Sequence, residues 1–239
     1  MTHGHDLIHS KLSRLEFTLM MSMVMAVTAL AIDMMLPAFG DMRAEFGLAA
    51  DSNTIALVVT VFLLGLGFGQ PLWGPLSDSL GRKPVLYAGL AVYVIGALGA
   101  ALSGSLTVLL VARFVGGFGA AGPRVVSQGV VRDAYKGEAM AKVMSYVMAA
   151  FILIPILAPS IGAAILAIGS WHTTFIAIAA FGIIVGVWTL RLPETLPEQR
   201  RIPLSFAKLG LAARSVMTNR FTMGLTFAQA VIFPAAAKD

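Results

Sequence analysis

Gly74-Pro-Leu-Ser-Asp-Ser-Leu-Gly-Arg-Lys83 is the stretch whose reading decides the fold. It places Asp78, Arg82 and Lys83 between two apolar runs, Thr54 to Pro75 and Pro84 to about Leu102. Each run is long enough to cross a bilayer, for which a helix needs ~20 apolar residues. Three charges so close to two spans keep their water only at a membrane face. The stretch therefore reads as a short charged reversal between two spanning helices. Gly81 supplies the backbone freedom that a tight reversal demands.

Outward from this reversal the same pattern repeats. Apolar runs cover Phe17 to about Phe39, Leu106 to Val131, about Val143 to Ile168, and about Thr173 to Leu190. Six spans predict an all-α polytopic membrane protein with both ends of the bundle on one side. The expected organisation is a polar N-terminus over 1–16, a six-helix bundle over 17–190, and a basic linker over 191–220 punctuated by Pro193, Pro197 and Pro203. Residues 221–239 read as a seventh helix cut short. Arg200, Arg201, Lys208, Arg214 and Arg220 suit an interfacial helix lying on anionic lipid.

Composition agrees. The 239 residues are 58% hydrophobic and 12% charged, against about 25% charged in a soluble domain. The net charge of +5 reports orientation rather than a nucleic-acid partner. Most of the 17 Lys and Arg fall in the N-terminus, the 76–84 turn, the 132–142 loop and the 191–220 stretch, whereas the opposite loops hold Arg43 alone. The basic side is thus expected to be cytoplasmic. With no cysteine, disulfides and thiolate metal sites are excluded. His3, His5 and His9 lie close together in a polar terminus and carry no metal-site reading; no cofactor is expected. Ala29-Leu30-Ala31 has the form of a signal-peptidase site, but the apolar run continues past it, so an uncleaved first helix is expected. The methionines crowding that helix read as apolar filler facing lipid or neighbouring helices.

Charges inside the spans carry the functional information, because each is costly in lipid. Asp33, four residues before Pro37, is the one acid within the expected spans and a candidate proton carrier. Arg113 and Arg124 lie about three turns apart on one face of the fourth helix, with Gln128 one turn further. Such a stripe asks for a water-filled cavity or a partner acid, and pairing of Asp33 with Arg113 or Arg124 is expected. Gly117-Phe-Gly-Ala-Ala-Gly122 fits the dinucleotide fingerprint in letters only; inside a span its small residues serve close packing. Gly65 and Gly69 form a second small-residue pair. Pro155, Pro159 and Gly162 give the fifth helix a candidate hinge. No nucleophile–base or metal constellation lies in the spans, so an intramembrane enzyme is not expected.

Several stretches together resemble the major facilitator superfamily, in its bicyclomycin/chloramphenicol resistance branch of drug–proton antiporters. Gly74-x-x-x-Asp78-x-x-Gly81-Arg82-Lys83 is similar to its signature turn, with Ser79 where Arg is usual. Ala31-Ile-Asp-Met-Met-Leu-Pro37 resembles its first-helix motif. Arg113-Phe, Gly117 and Gly119-Ala-Ala, ending in Val131-Arg132-Asp133, resemble its fourth-helix motif, with Gly116 where Gln is common. Pro155, Ala158-Pro159-Ser-Ile-Gly162 and Leu192-Pro-Glu-Thr-Leu196 look like its fifth-helix motif and sixth-helix end. The resemblance implies two six-helix halves with substrate at the midplane between them, of which this chain supplies the first. It implies exchange of a lipophilic drug for protons in a bacterial inner membrane. Asp33 would titrate and Arg113 would modulate it; Arg124 departs from a family segment that is usually small and apolar, and it is the polar stripe itself that makes Arg124 and Gln128 candidates to line the cavity. Gly74, Asp78, Gly81, Arg82 and Lys83 would form a cytoplasmic gate. The partner would be a C-terminal half or a second chain, without which the chain would transport nothing.

Overall fold

The structure, a computed structural model, describes residues 12–204. The readings of His3, His5 and His9, of Lys208, Arg214 and Arg220, and of the seventh apolar run lie outside these residues. Ser13 opens the first helix, its hydroxyl accepting the Glu16 N–H at 3.1 Å, a standard N-terminal cap. Helix α1 then runs Arg14–Asp33 and gives way to a short 3₁₀ turn, Leu36–Ala38, where Pro37 interrupts it. After a short helical segment, Phe39–Glu45, come α2 (Leu57–Leu80), α3 (Arg82–Ala101), α4 (Leu106–Ala134), α5 (Gly137–Ile168) and α6 (Trp171–Trp188). Among the described residues six helical stretches are long and apolar enough to cross a membrane, as the sequence predicts. This is a multi-pass, all-α membrane protein.

Two boundaries differ from expectation. The charged stretch is not a loop: α2 continues through Asp78 to Leu80, α3 begins at Arg82, and Gly81 alone makes the reversal, at φ +107°. The 132–142 segment is also mostly helical, broken only at Tyr135 and Lys136 between α4 and α5. Charge ends an apolar run without ending a helix, because water at the membrane face solvates the side chains while the backbone ladder continues.

Helix α4 lies at the centre and packs most extensively on α2 and α3; α3 also packs on α6, and α1 on α5. In lipid such contacts rest on close backbone approach rather than on hydrophobic burial. The α4 glycines supply it. A Cβ added at Gly117 would collide with the Phe62 carbonyl of α2, and one at Gly119 with the Tyr93 backbone of α3. The fingerprint-like stretch is a packing seam. Two hydrogen bonds pin the helices crossing it: Trp73 Nε1 donates to the Phe118 carbonyl at 2.7 Å, and Tyr93 Oη to the Val27 carbonyl at 3.2 Å. Met20, Met21, Met25 and Met35 are fully buried in the core, so the methionines face neighbours rather than lipid.

The even number of crossings brings the start of α1 and the end of α6 together. Arg191 Nη1 lies 3.1 Å from Glu16 Oε1 at this basic end, and Trp188 Nε1 lies 3.5 Å from the same oxygen. At the opposite end Trp171 Nε1 donates to Glu45 Oε2 at 2.6 Å while its ring stacks on His172, centroids 3.6 Å apart.

Candidate functional site

Arg82 is the hub of the basic end. It is 8% exposed, and its guanidinium spans two helices. Nη1 donates to Asp78 Oδ1 at 2.5 Å and to Ser77 Oγ at 2.7 Å, both on α2. Nε donates to Asp133 Oδ2 at 2.8 Å on α4. Charge-assisted bonds of this kind are roughly twice as strong as neutral ones, and the fixed fork of Arg suits two carboxylates at once. The head lies flat against α4, where a Cβ added at Gly129 would stand 3.1 Å from Cζ.

A third acid completes the hub, and sequence reasoning gave it no role. Glu194, beyond the end of α6, turns back beneath the first turn of α3. Its Oε1 accepts the Arg82 N–H and its Oε2 the Lys83 N–H, each at 3.0 Å. These N–H groups have no partner within their helix, and a carboxylate there also meets the positive end of the helix dipole. Oε1 further accepts the Leu196 N–H at 3.0 Å, which closes the Leu192–Leu196 turn. Gly81 is indispensable twice over: its φ is positive, and an added Cβ would sit 2.7 Å from Glu194 Oε2. Lys83 Nζ donates to the Leu190 carbonyl at 2.9 Å, and the Ile202 N–H to the Asp78 carbonyl at 2.9 Å. The stretch from Leu190 to Ile202 is thus stitched to the α2–α3 reversal. The advance signal for Glu194 was its place in Leu192-Pro-Glu-Thr-Leu196, the stretch that resembles the family's sixth-helix end, which marks the position without giving its partner. Of the other motif positions, Gly74 accepts the Ser77 hydroxyl through its carbonyl at 2.8 Å. Ser79 spends its hydroxyl on the Leu76 carbonyl at 3.2 Å, within its own helix.

Arg113 is buried even more deeply, at 3% exposure, yet meets no carboxylate among the described residues. Nε donates to the Val58 carbonyl of α2 at 3.1 Å and Nη2 to the Ala31 carbonyl of α1 at 2.9 Å. Its Cζ lies 4.2 Å from the Phe62 ring centroid and 5.6 Å from that of Phe175, so aromatic faces supply the remaining stabilisation. Asp33 ends α1 two residues beyond Ala31, half-buried, with no hydrogen bond or ion pair among the described residues. The expected pairing of Asp33 with Arg113 or Arg124 is therefore corrected. Arg113 comes to the segment that carries Asp33, but takes the backbone carbonyl there. Arg124, half-buried, places Cζ 5.1 Å from the Phe151 ring of α5, and Gln128 lies one turn further along α4, also half-buried.

Helix α5 runs unbroken through Pro155 and Pro159, although each lacks the donor that would bond the carbonyl four residues back. Gly162 sits against the end of α1, where an added Cβ would collide with the Met34 carbonyl. The proline pair and the Asp33 segment are thus neighbours across one close helix contact. Among the described residues no group of His, Asp or Glu is arranged to hold a metal.

Residues 21–237 match the Major Facilitator Superfamily. The chain is 35% identical over 214 residues to an uncharacterized MFS-type transporter, YdgK, of Bacillus subtilis, covering 88% of this chain and 53% of that protein. It is 31% identical to a bicyclomycin resistance protein homolog of Haemophilus influenzae, covering 91% of this chain and 54% of that protein. It is also 35% identical to a chloramphenicol resistance protein of Pseudomonas aeruginosa, covering 82% and 47% respectively. The chain spans about half the length of the curated relatives it matches. Among solved structures, a D-xylose-proton symporter aligns with TM-score 0.67 at 17% identity, over 92% of this chain and 56% of that one. The human organic anion transporter MFSD10 aligns with TM-score 0.66 at 23% identity, over 82% and 52%. Fold and sequence converge, and the chain belongs to the Major Facilitator Superfamily.

Proposed function

We propose that this chain is the N-terminal half of a proton-coupled exporter of lipophilic drugs in a bacterial inner membrane, with the basic end of the bundle cytoplasmic. The observation that carries the reading is its similarity to proteins named for bicyclomycin, chloramphenicol and multidrug resistance, each at 30% identity or more. Asp33 is the proton-titrating group, since a carboxyl without a partner inside a span is free to gain and lose a proton as its surroundings change. Arg113 sets the electrostatic background of that step from the Ala31 carbonyl, two residues away. Asp78, Arg82, Lys83 and Gly81 with Gly74 form the cytoplasmic gate, and Pro155, Pro159 and Gly162 let α5 flex against α1. Arg124 and Gln128 line the path taken by the drug. That path is completed by a second six-helix bundle, so the chain by itself moves neither drug nor protons.

The test is flux in vesicles that hold the chain alone or fused to the second bundle of a drug-resistance relative. Drug-linked proton movement is expected for the fusion only. Asp33→Asn should abolish it while leaving membrane insertion intact. Unchanged flux in an inserted Asp33→Asn fusion would refute the role of Asp33.

A further inference from the structure

The basic end holds a feature outside both the gate and the proton site. A cavity of about 520 Å³ opens between α1 and α5. Its volume is in the range of small-ligand sites, ~300–1,000 Å³. Arg14 and Lys142 line it, none of its lining residues is acidic, and neither cation has an ion-pair partner among the described residues. The nearest acids in sequence are Glu16, engaged by Arg191, and Glu138, exposed and outside the lining. The first turns of two helices contribute Arg14 and Leu15 from α1 and Ala139 from α5, so two positive dipole ends add to the two cations. Burial raises the Tyr135 phenol above its ordinary value while the charge of Arg14 pulls it back, so the cation acts on a second lining residue. The other wall is apolar: Leu15 is 70% and Leu19 45% exposed along α1, leading away from the cations.

A cationic floor at the basic end of the bundle beside the apolar side chains of Leu15 and Leu19 matches one ligand shape. We propose that this cavity binds an anionic phospholipid, its phosphate held by Arg14 and Lys142, its glycerol portion beside Tyr146, and an acyl chain along Leu15 and Leu19. A soluble anion would leave the apolar wall unused, and a zwitterionic lipid would bring an ammonium to a site whose lining among the described residues holds no acid.

Native mass spectrometry of the whole chain tests this, with phosphatidylglycerol and phosphatidylcholine of matched acyl chains as probes. The wild type should retain one phosphatidylglycerol. Arg14→Gln with Lys142→Gln should weaken that binding about 30-fold, since each surface cation contributes a several-fold preference for anionic lipid. Arg132→Gln with Lys136→Gln removes the same charge from exposed positions outside the cavity and should leave retention unchanged. Arg14→Lys with Lys142→Arg should keep the lipid. Equal retention of phosphatidylcholine, equal loss in the Arg132/Lys136 control, or displacement by inorganic phosphate alone would each overturn the proposal.

Discussion

Arg82 and Arg113 are the same side chain, both almost wholly buried in one bundle, and they are held by opposite means. Arg82 is over-supplied with charge: two carboxylates on two helices accept from its guanidinium, and a third accepts from its backbone. Arg113 has two backbone carbonyls and two aromatic faces, and no acid among the described residues. A cation neutralised on every side is a fastener, because moving any partner leaves a buried charge exposed to low dielectric. A cation satisfied only by dipoles keeps its net charge, and that charge acts on whatever titrates nearby. One arginine stabilises a conformation; the other shapes a field.

Substitutions by methionine separate these roles. Arg82→Met removes the common partner of Asp78 and Asp133 and should cost about 2–3 kcal/mol in detergent unfolding. This is below the ~3–5 kcal/mol of a fully buried pair, because the Asp78 side chain is 44% exposed and water screens it. Glu194→Gln keeps one acceptor oxygen but turns an amide N–H₂ toward a backbone donor, and should cost about 1–2 kcal/mol on the same measurement. Arg113→Met should change stability by about 1 kcal/mol or less, since removing a buried charge offsets the donor lost at the Ala31 carbonyl in the last turn of α1. In a flux assay of the fused transporter, Arg113→Met should nevertheless abolish proton coupling. A large loss of stability in Arg113→Met, or none in Arg82→Met, would erase the distinction.

Much of this was legible in the sequence, and the gaps have physical causes. Six crossings follow from apolar run lengths, and Gly81 from the need for one sharp reversal. The charged decapeptide misled as to secondary structure, because charge reports the water boundary while helix termination is set by backbone and caps, here Gly81 and Glu194. Asp33 and Arg113 were singled out by the rarity of charge in a span, but not their partners: Arg113 found carbonyls on α1 and α2 that no side-chain inventory displays. Glu194 stayed hidden because a cap supplied from more than a hundred residues away has no local spacing to betray it.

The stitching of Leu190–Ile202 to the α2–α3 reversal sets where this bundle can be cut. Counting helices alone would end a six-helix fragment at Trp188 or shortly after. Such a fragment would lose Glu194, expose the first turn of α3, and strip the Asp78 carbonyl of the Ile202 N–H. A fragment that keeps these bonds therefore has to include Ile202. A protease nick between α6 and that residue should loosen a hairpin formed more than a hundred positions earlier in the chain.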